Sequence, residues 1–341
     1  ADEGCILGVA FQADITVTFQ MEKVGLGLYP GKGYAGKVIV ADIGIDTDKT
    51  VADIGVAYTY EPEEFRKLED SNKGMYGRLL IIAGSKGMSG AAYLNAKAAY
   101  KAGAGLVQIY TPEDNRIILQ ELLPEAIVKT YDFFDEGELI RLLKWADTVC
   151  IGSGMGTSEK SKKILKTALE NLSVPCLIDA DGLNLIAEHR KYMDRIPHDH
   201  LIITPHMKEM SRLTGISVLE LKSRRMEILK EFTEKHHITC VLKDSSTVVA
   251  SPGERAYINR SGNASMAKAG AGDVLAGIVA GLMAQGMDCQ EAGILGTYLH
   301  GRAGDLARRE KGSYSVMAGD LIEYLSEAFK EQEEKNYEQL Y

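Results

Sequence analysis

The chain has 341 residues, with 48 acidic against 39 basic side chains and a formal net charge of −9. That balance argues against a nucleic-acid binder, which shows a basic excess or patch, and the length suits one large or two medium domains. Five scattered cysteines with no C-x-x-C pair argue against a disulfide framework or a zinc site and fit a reducing cytosol.

Residues 13–19 (A-D-I-T-V-T-F) alternate as a strand does, and residues 37–45 (K-V-I-V-A-D-I-G-I) read as a second. Between them residues 25–36 are Gly-rich, with Pro30-Gly31 as a turn. Two strands and a loop cannot close a core, so this segment must pack on something else or be the remnant of something larger. Residues 46–70 are polar and acidic and read as a connector running into a short helix.

From residue 77 strands and helices alternate. Short apolar runs at 79–83, 106–110, 148–151, 176–179, 201–204 and 239–242 fit strands buried on both faces. Cys150, Cys176 and Cys240 lie in such runs and read as small buried hydrophobes. Helices are expected up to 102, over 158–172, and from 273 onward. Residues 247–250 and 256–259 flank S-P-G-E as a hairpin, and two more helices follow at 290–308 and 317–331. This alternation predicts an α/β fold, a mostly parallel central sheet with helices on both faces and its ligand beyond the carboxyl ends of the strands. No run approaches the roughly 18 apolar residues of a membrane span, and no signal peptide is visible, so a cytoplasmic protein without a membrane partner is expected.

The densest signal is G-N-A-S-M-A-K-A-G-A-G-D at residues 262–273. Gly270, Ala271 and Gly272 have small side chains only, so a ligand can approach their N–H groups, and the following helix adds its partial positive charge there. Leu275, Ile278, Val279 and Leu282 give that helix an apolar face. Ala276, Gly277, Ala280 and Gly281 let it pack closely on the sheet, and Gly286 can close it. Asp273 reads either as an N-cap or as a catalytic carboxylate; the flanking glycines favour the second, because a cap does not need them.

Five further loops follow strands. G-S-K-G-M-S-G at 84–90 is not a G-x-x-x-x-G-K-[ST] phosphate loop, and I-G-S-G-M-G at 151–156 matches a dinucleotide fingerprint weakly; each is a plain turn or backbone laid against a ligand. I-D-A-D-G-L-N at 178–184 puts two acids at a strand end, to meet a metal–phosphate complex or, for Asp181, to cap the next helix. Thr204-Pro205 would start a helix, with His206 and Glu209 facing the cleft or serving structure and the helix dipole. Lys243, in V-L-K-D-S-S-T, meets a phosphate or lies in solvent.

Taken in order, G-S-K-G-M-S-G-A-A, K-A-G-A-G-L-V, I-G-S-G-M-G, I-D-A-D-G-L-N, T-P-H-x-x-E, L-K-D and G-N-x-x-M-A-x-x-G-A-G-D-V-L-A-G resemble the ADP/ATP-dependent NAD(P)H-hydrate dehydratases. These are ribokinase-like enzymes that repair hydrated nicotinamide cofactors, and the resemblance runs from Asn72 to the last helix. The leading A-D-I-T-V-T-F, Y-P-G and V-x-V-A-D-I-G-I look like the end of an NAD(P)H-hydrate epimerase domain, which is often fused in front. The expected organisation is an epimerase-like remnant at 1–45, a linker at 46–70 and a dehydratase domain at 71–341. No epimerase activity is expected from the residues present.

The resemblance implies that ADP or ATP, with Mg²⁺, phosphorylates the 6-hydroxyl of the (S) hydrate of NADH or NADPH, and that phosphate then leaves. It implies Asp273 as the base and the N–H groups of residues 269–272 around the phosphoryl group. Nucleotide contacts are implied at Lys243, Asp244, Ser245, Ser246 and Thr247, and at Asn263, Ala264, Ser265, Met266, Ala267, Lys268, Ala269, Gly270, Ala271 and Gly272. Hydrate contacts are implied at Ala91, Gly154, His206, Met207, Lys208, Glu209, Met210, Ser211 and Arg212. The chain departs from the family pattern at Lys268 (usually Thr or Ser), Ser265 (often Gly) and Met207-Lys208 (often Pro-Gly). A homo-oligomer is expected. Two other classes compete: a small-molecule kinase of the same fold, such as a hydroxymethylpyrimidine or hydroxyethylthiazole kinase, and a nucleotide-binding module without catalysis. The epimerase-like leader speaks against the first and the intact Asp273 against the second.

Overall fold

The computed structural model describes residues 3–45, 57–58, 73–189, 192 and 200–339. Strand β1 (Ile15–Phe19) pairs in parallel with β2 (Lys37–Ala41) in a separate two-stranded sheet. The second strand stops at Ala41, short of the expected residue 45. The Gly-rich stretch between them is not a simple turn: it holds two short helices, α1 (Val24–Gly27) and α2 (Gly31–Ala35), with a cis Tyr29-Pro30 bond between them.

The main sheet is built from β3 (Ala57–Tyr58), β4 (Arg78–Ile82), β5 (Leu106–Pro112), β6 (Ile127–Tyr131), β7 (Thr148–Ile151), β8 (Cys176–Ile178), β9 (Leu201–Ile203), β10 (Thr239–Leu242), β11 (Val248–Ala250) and β12 (Ala256–Ile258). Their order is β3-β12-β11-β10-β9-β8-β7-β4-β5-β6. From β10 across to β6 every pair is parallel, so the carboxyl ends of seven strands share one edge. The expected hairpin is present as β11 and β12, antiparallel to each other, with β11 antiparallel to β10. β3 falls inside the expected connector and pairs with β12; the rest of that connector lies outside the described residues. β6 is an edge strand that the apolar runs did not announce.

Residues along β4 alternate between two cores. Leu79 and Ile81 belong to one, Leu80 and Ile82 to the other, and all four are buried. A strand covered by helices on both faces needs an unbroken apolar run for this reason. The second core also contains Leu28, with no exposed surface, so the leading segment is seated in the main body. Burying such a side chain contributes about 1.5–3 kcal/mol.

The remaining helices are α3 (Ser89–Lys101), α4 (Arg116–Leu122), α5 (Glu136–Trp145), α6 (Glu159–Asn171), α7 (Asp181–Glu188), α8 (Met207–Thr214), α9 (Val218–Ser223), α10 (Arg225–His236), α11 (Ala271–Ala284), α12 (Cys289–Ser315, non-helical at Gly312), α13 (Ala318–Glu323) and α14 (Leu325–Gln339). α11 is buried on every side from Val274 to Ala284, so its apolar residues are not confined to one face. Two of its small residues serve α3 rather than the sheet. A Cβ on Gly277 would lie 2.2 Å from the Asn95 carbonyl oxygen, and one on Gly281 2.7 Å from that of Ala99. Gly277→Ala would push the two helices apart. α11 ends at Gln285, and Gly286 follows with φ 93°, as the sequence predicts for a glycine closing a helix.

Candidate active site

The carboxyl edge of the parallel strands gathers five of the loops singled out in the sequence. Gly84 follows β4 and donates its N–H to the Ser153 carbonyl at 2.8 Å, while the Ser85 hydroxyl donates to the Gly154 carbonyl at 2.8 Å. The loops after β4 and β7 are therefore stitched together. Gly154 has φ 61°, and a Cβ there would come within 2.8 Å of the Ala91 methyl, so these two predicted hydrate contacts are neighbours. Asp181 braces the same loop: its carboxylate accepts from the Gly156 N–H at 2.9 Å and from the Asn184 amide at 3.3 Å. It is not the expected cap of α7, whose N-cap position is Ala180.

α11 enters this edge without a side-chain cap. Gly270, at φ 90°, occupies the N-cap position; Ala271 donates its N–H to the Lys268 carbonyl at 3.3 Å within the turn, and no side chain caps the N–H groups that follow. Asp273 is the third residue of the helix and not its N-cap. The Asn95 amide, fully buried on α3, donates to the Ser153 hydroxyl at 3.1 Å, and Ser153 favours the charged form of Asp273. Burial first, and then the charge of Asp179, push the Asp273 carboxyl up to about 6. A carboxylate so tuned holds its proton more readily than an ordinary one and still ionises near neutrality.

Lys243, at the end of β10, is not solvated. Its ammonium donates to the Asp179 carboxylate at 2.7 Å, and both side chains are largely buried. Burial works against the charge, but Asp179, then Glu209, its hydrogen bond and Asp273, hold the ammonium above the usual lysine range. The rest of the turn is anchored from behind. Asp244 pairs with the fully buried Arg225 at 2.8 Å, and the Ser246 hydroxyl donates to the Gly27 carbonyl at 3.0 Å. Ser245 is exposed and Thr247 half-buried.

The 262–268 loop is likewise fixed on its inner side. The Asn263 amide donates to Asp305 at 2.8 Å and to the Gly304 carbonyl at 3.1 Å, and its oxygen accepts from the Ser265 N–H. Met266 packs into the space left by Gly304. Ala264, Ala267, Lys268 and Ala269 present their side chains outward. Ser265 and the inner parts of Asn263 and Met266 thus shape the loop, while the exposed four and the half-buried 270–272 turn offer a surface.

The His206 region departs most from the reading of the sequence. His206 is the N-cap of α8, so the helix starts at Met207 and not at Thr204-Pro205. Its Nδ1 accepts from the Lys208 and Glu209 N–H groups, both at 3.1 Å, and Glu209 accepts from the His206 N–H at 2.8 Å, a closed capping box. Burial, and then Lys243, push the His206 imidazole below its usual range, and burial pushes the Glu209 carboxyl up. Met210 has no exposed surface, Met207 very little, and the Ser211 hydroxyl donates to the Ile216 carbonyl at 2.7 Å. Met207 and Met210 thus turn into the protein core, while half-buried Ser211 spends its hydroxyl on the loop that follows α8. Lys208 is exposed. Arg212 reaches the Asn184 amide oxygen at 2.7 Å and, with Asn184, Thr157, Ala187 and Glu188, lines a cleft of about 460 Å³.

With this geometry in view, the sequence pattern of the NAD(P)H-hydrate dehydratase family matches residues 79–327. The chain belongs to that family. Its fold is the ribokinase-like one of the family's solved structures. It is 38% identical over 349 residues to the bifunctional NAD(P)H-hydrate repair enzyme of Moorella thermoacetica, an alignment covering 98% of this chain and 66% of that protein. It is 35% identical over 268 residues to the ADP-dependent (S)-NAD(P)H-hydrate dehydratase of Neisseria meningitidis, covering 76% of this chain and 88% of that one. The ADP/ATP-dependent NAD(P)H-hydrate dehydratase of Bacillus subtilis, co-crystallised with ATP/Mg²⁺, superposes with a TM-score of 0.68 at 28% identity, over 78% of this chain and 94% of that one. The chain spans just under two thirds of the length of the bifunctional relatives it matches. Among the described residues, no helix is long and apolar enough to cross a membrane.

The sequence marked Asp179 and Asp181 as a pair of strand-end acids and Ser153 only as part of the I-G-S-G-M-G loop, and it did not single out Asn95, Arg225 or Asp305. The last three carry no local signal, because each acts through a contact distant in sequence.

Proposed function

We propose that this chain carries out the nucleotide-dependent dehydration of (6S)-NADHX and NADPHX to NADH and NADPH. One observation carries the reading: a largely buried carboxylate, Asp273, stands at the uncapped entrance of α11 with the Lys243 ammonium beside it. The names of the N. meningitidis and B. subtilis relatives support ADP or ATP as the phosphoryl donor.

In this reading the ionised Asp273 takes the proton of the substrate's 6-hydroxyl. That oxygen bonds to the terminal phosphorus of the nucleotide as the bond to the departing AMP or ADP breaks. The transferring phosphoryl group carries spread negative charge, so catalysis is mainly positioning and electrostatics, supplied by the N–H groups of residues 269–272 and by Lys243. Phosphate then leaves carbon 6 while the adjacent carbon gives up a proton, and the double bond of the reduced nicotinamide is restored. The 243–247 turn and the outer side of the 263–272 loop hold the nucleotide; Ala91, Gly154, His206, Glu209 and Arg212 border the hydrate. Among the described residues no three His, Cys, Asp or Glu side chains gather closely enough to hold a metal, so Mg²⁺ fits as an ion borne on the nucleotide's phosphates, where it neutralises charge. A homo-oligomer in the cytoplasm belongs to the same reading.

The deciding experiment mixes the chain with hydrated NADH and either ADP or ATP and follows reduced-nicotinamide absorbance. Recovery with at least one nucleotide is expected. No recovery with either overturns the proposal.

A further inference from the structure

Asp179 ends β8 with a side chain almost wholly out of solvent. It has no capping duty, because α7 begins after Ala180, whose φ of 50° makes the bend. Its backbone serves the sheet and the turn: the N–H donates to the Ile151 carbonyl and the carbonyl accepts from Gly182. The carboxylate itself reaches across β9 to Lys243, 64 residues away, at 2.7 Å. Gly272 stands over this pair. A Cβ there would lie 3.4 Å from the Lys243 nitrogen and 4.0 Å from the free oxygen of Asp179. The ion pair therefore underlies the turn that opens α11, one residue before Asp273.

A buried ion pair seldom stabilises a fold more than apolar side chains of the same size would, because desolvation offsets the attraction. Its place under the α11 entrance suggests another use. The charged and titratable groups around Asp273 are few. Asp179 and Lys243 approach from the strand ends, Asp181 from the start of α7, and Cys150 from β7, its thiol kept neutral by burial, which pushes it up to about 12. Ser153 is neutral and favours the charged form of Asp273. Behind Lys243 lie Glu209, which adds to its charge, and His206, which feels it; from α12 His300 also feels Lys243, and burial pushes its imidazole down to about 4. Of these, Asp179 and Lys243 carry opposite signs and are locked to each other.

We propose that Asp179 is a positioning residue of this site: it fixes the Lys243 ammonium beneath the α11 entrance, and the two groups, with opposing effects, set how readily Asp273 gives up and takes a proton. The inference rests on the reading of Asp273 as the base and adds a residue that reading does not use. Asp179 lifts the proton affinity of Asp273, as burial does, and Lys243 lowers it. Their balance leaves Asp273 ionised at neutral pH and still basic enough to accept a hydroxyl proton.

The test uses the full chain with ¹³C-labelled aspartate carboxyls, the Asp273 signal being assigned by its loss in Asp273→Asn. In Asp179→Asn the Asp273 titration is expected to move down by about one pH unit, and in Lys243→Met to move up by about one unit, in line with single nearby charges. The acid limb of kcat/KM should move the same two ways, while a purely structural pair would lower activity at all pH values and leave the limb in place. Asp179→Glu keeps the charge, so its limb should stay near that of the unaltered chain even as kcat falls. If Asp179→Asn does not fold, Lys243→Met and Asp179→Glu still decide. Displacement of both titrations in one direction, or of neither, overturns the proposal. A chain that regains no nicotinamide at any pH fails the proposed dehydration, whereas the carboxyl titration still judges this inference on its own.

Discussion

Two helices start at the same sheet edge and are finished in opposite ways. α8 is sealed: His206 and Glu209 satisfy its first N–H groups and each other, with Glu209 buried. α11 is left open: glycine at the N-cap position, no side-chain cap, and a carboxylate set three residues further in. Both starts carry a backbone dipole of the same sense; they differ in the cap side chain and in the backbone that carries it, extended at His206 and left-handed at Gly270. A sealed entrance stabilises the protein by itself, while an open one leaves donors for a partner from outside.

Breaking the open entrance should have the largest effect. Asp273→Asn is expected to lower turnover by roughly 10²–10⁴-fold with nucleotide affinity retained, checked by steady-state kinetics and calorimetry. Normal turnover in that variant would reduce Asp273 to a structural acid.

The same variant makes a second, opposite forecast about stability. The Asp273 carboxyl sits at about 6 in the fold against 3.8 ordinarily. A raised value means that the fold prefers the protonated form; this stabilisation is full below about pH 4 and is lost as pH rises through 6. Ionising Asp273 therefore opposes folding by something on the order of 3 kcal/mol at pH 8. Asp273→Asn should unfold at a higher denaturant concentration than the unaltered chain at pH 8, and the gap should close by pH 4. Equal midpoints at pH 8 would argue that the site is more hydrated than its geometry suggests.

A bulky residue should spoil the entrance more mildly. At Gly270 the backbone has φ 90°, and a Cβ would press on Leu94 at 2.6 Å. Gly270→Val is expected to cost about 2 kcal/mol of stability, since the side chain is held in a region it avoids, and to weaken nucleotide binding at least tenfold. Undiminished binding by titration would mean that the N–H groups of this turn do not meet phosphate.

The sealed entrance gives the smallest change. His206→Ala removes the acceptor for two N–H groups and should lower stability by about 1 kcal/mol in urea unfolding. A large rise in KM for the hydrate with stability intact would instead make His206 chiefly a substrate contact.

Much of this architecture was legible before any coordinates. The apolar runs of β4, β7 and β10 mark strands covered on both faces, and G-A-G-D marks a helix entrance made of backbone. Edge strands were harder. β6 alternates over five residues with Lys129 at its centre, and β3 is only two residues long, so neither forms a run. That His206 also caps α8 was hard to read, because a histidine cap has no distinctive spacing beyond a glutamate three residues on. Met210 could be placed in the interior only once the buried side of α8 was known. The Asp179–Lys243 pair was out of reach for a plainer reason: sequence order says nothing about which strand ends become neighbours across an intervening β9.

The leading segment touches the rest of the chain where it matters. The Gly27 carbonyl receives the Ser246 hydroxyl, Leu28 fills a place in the core, and Glu22 pairs with Arg260 at 2.6 Å. Modularity judged from sequence would put a clean seam before residue 71. In the folded molecule such a seam would cut through the wall behind the 243–247 turn. A shortened gene product would keep Asp273 and the whole open entrance yet lose the backing of one of its loops, so portability here has to be settled by contacts and not by motif boundaries.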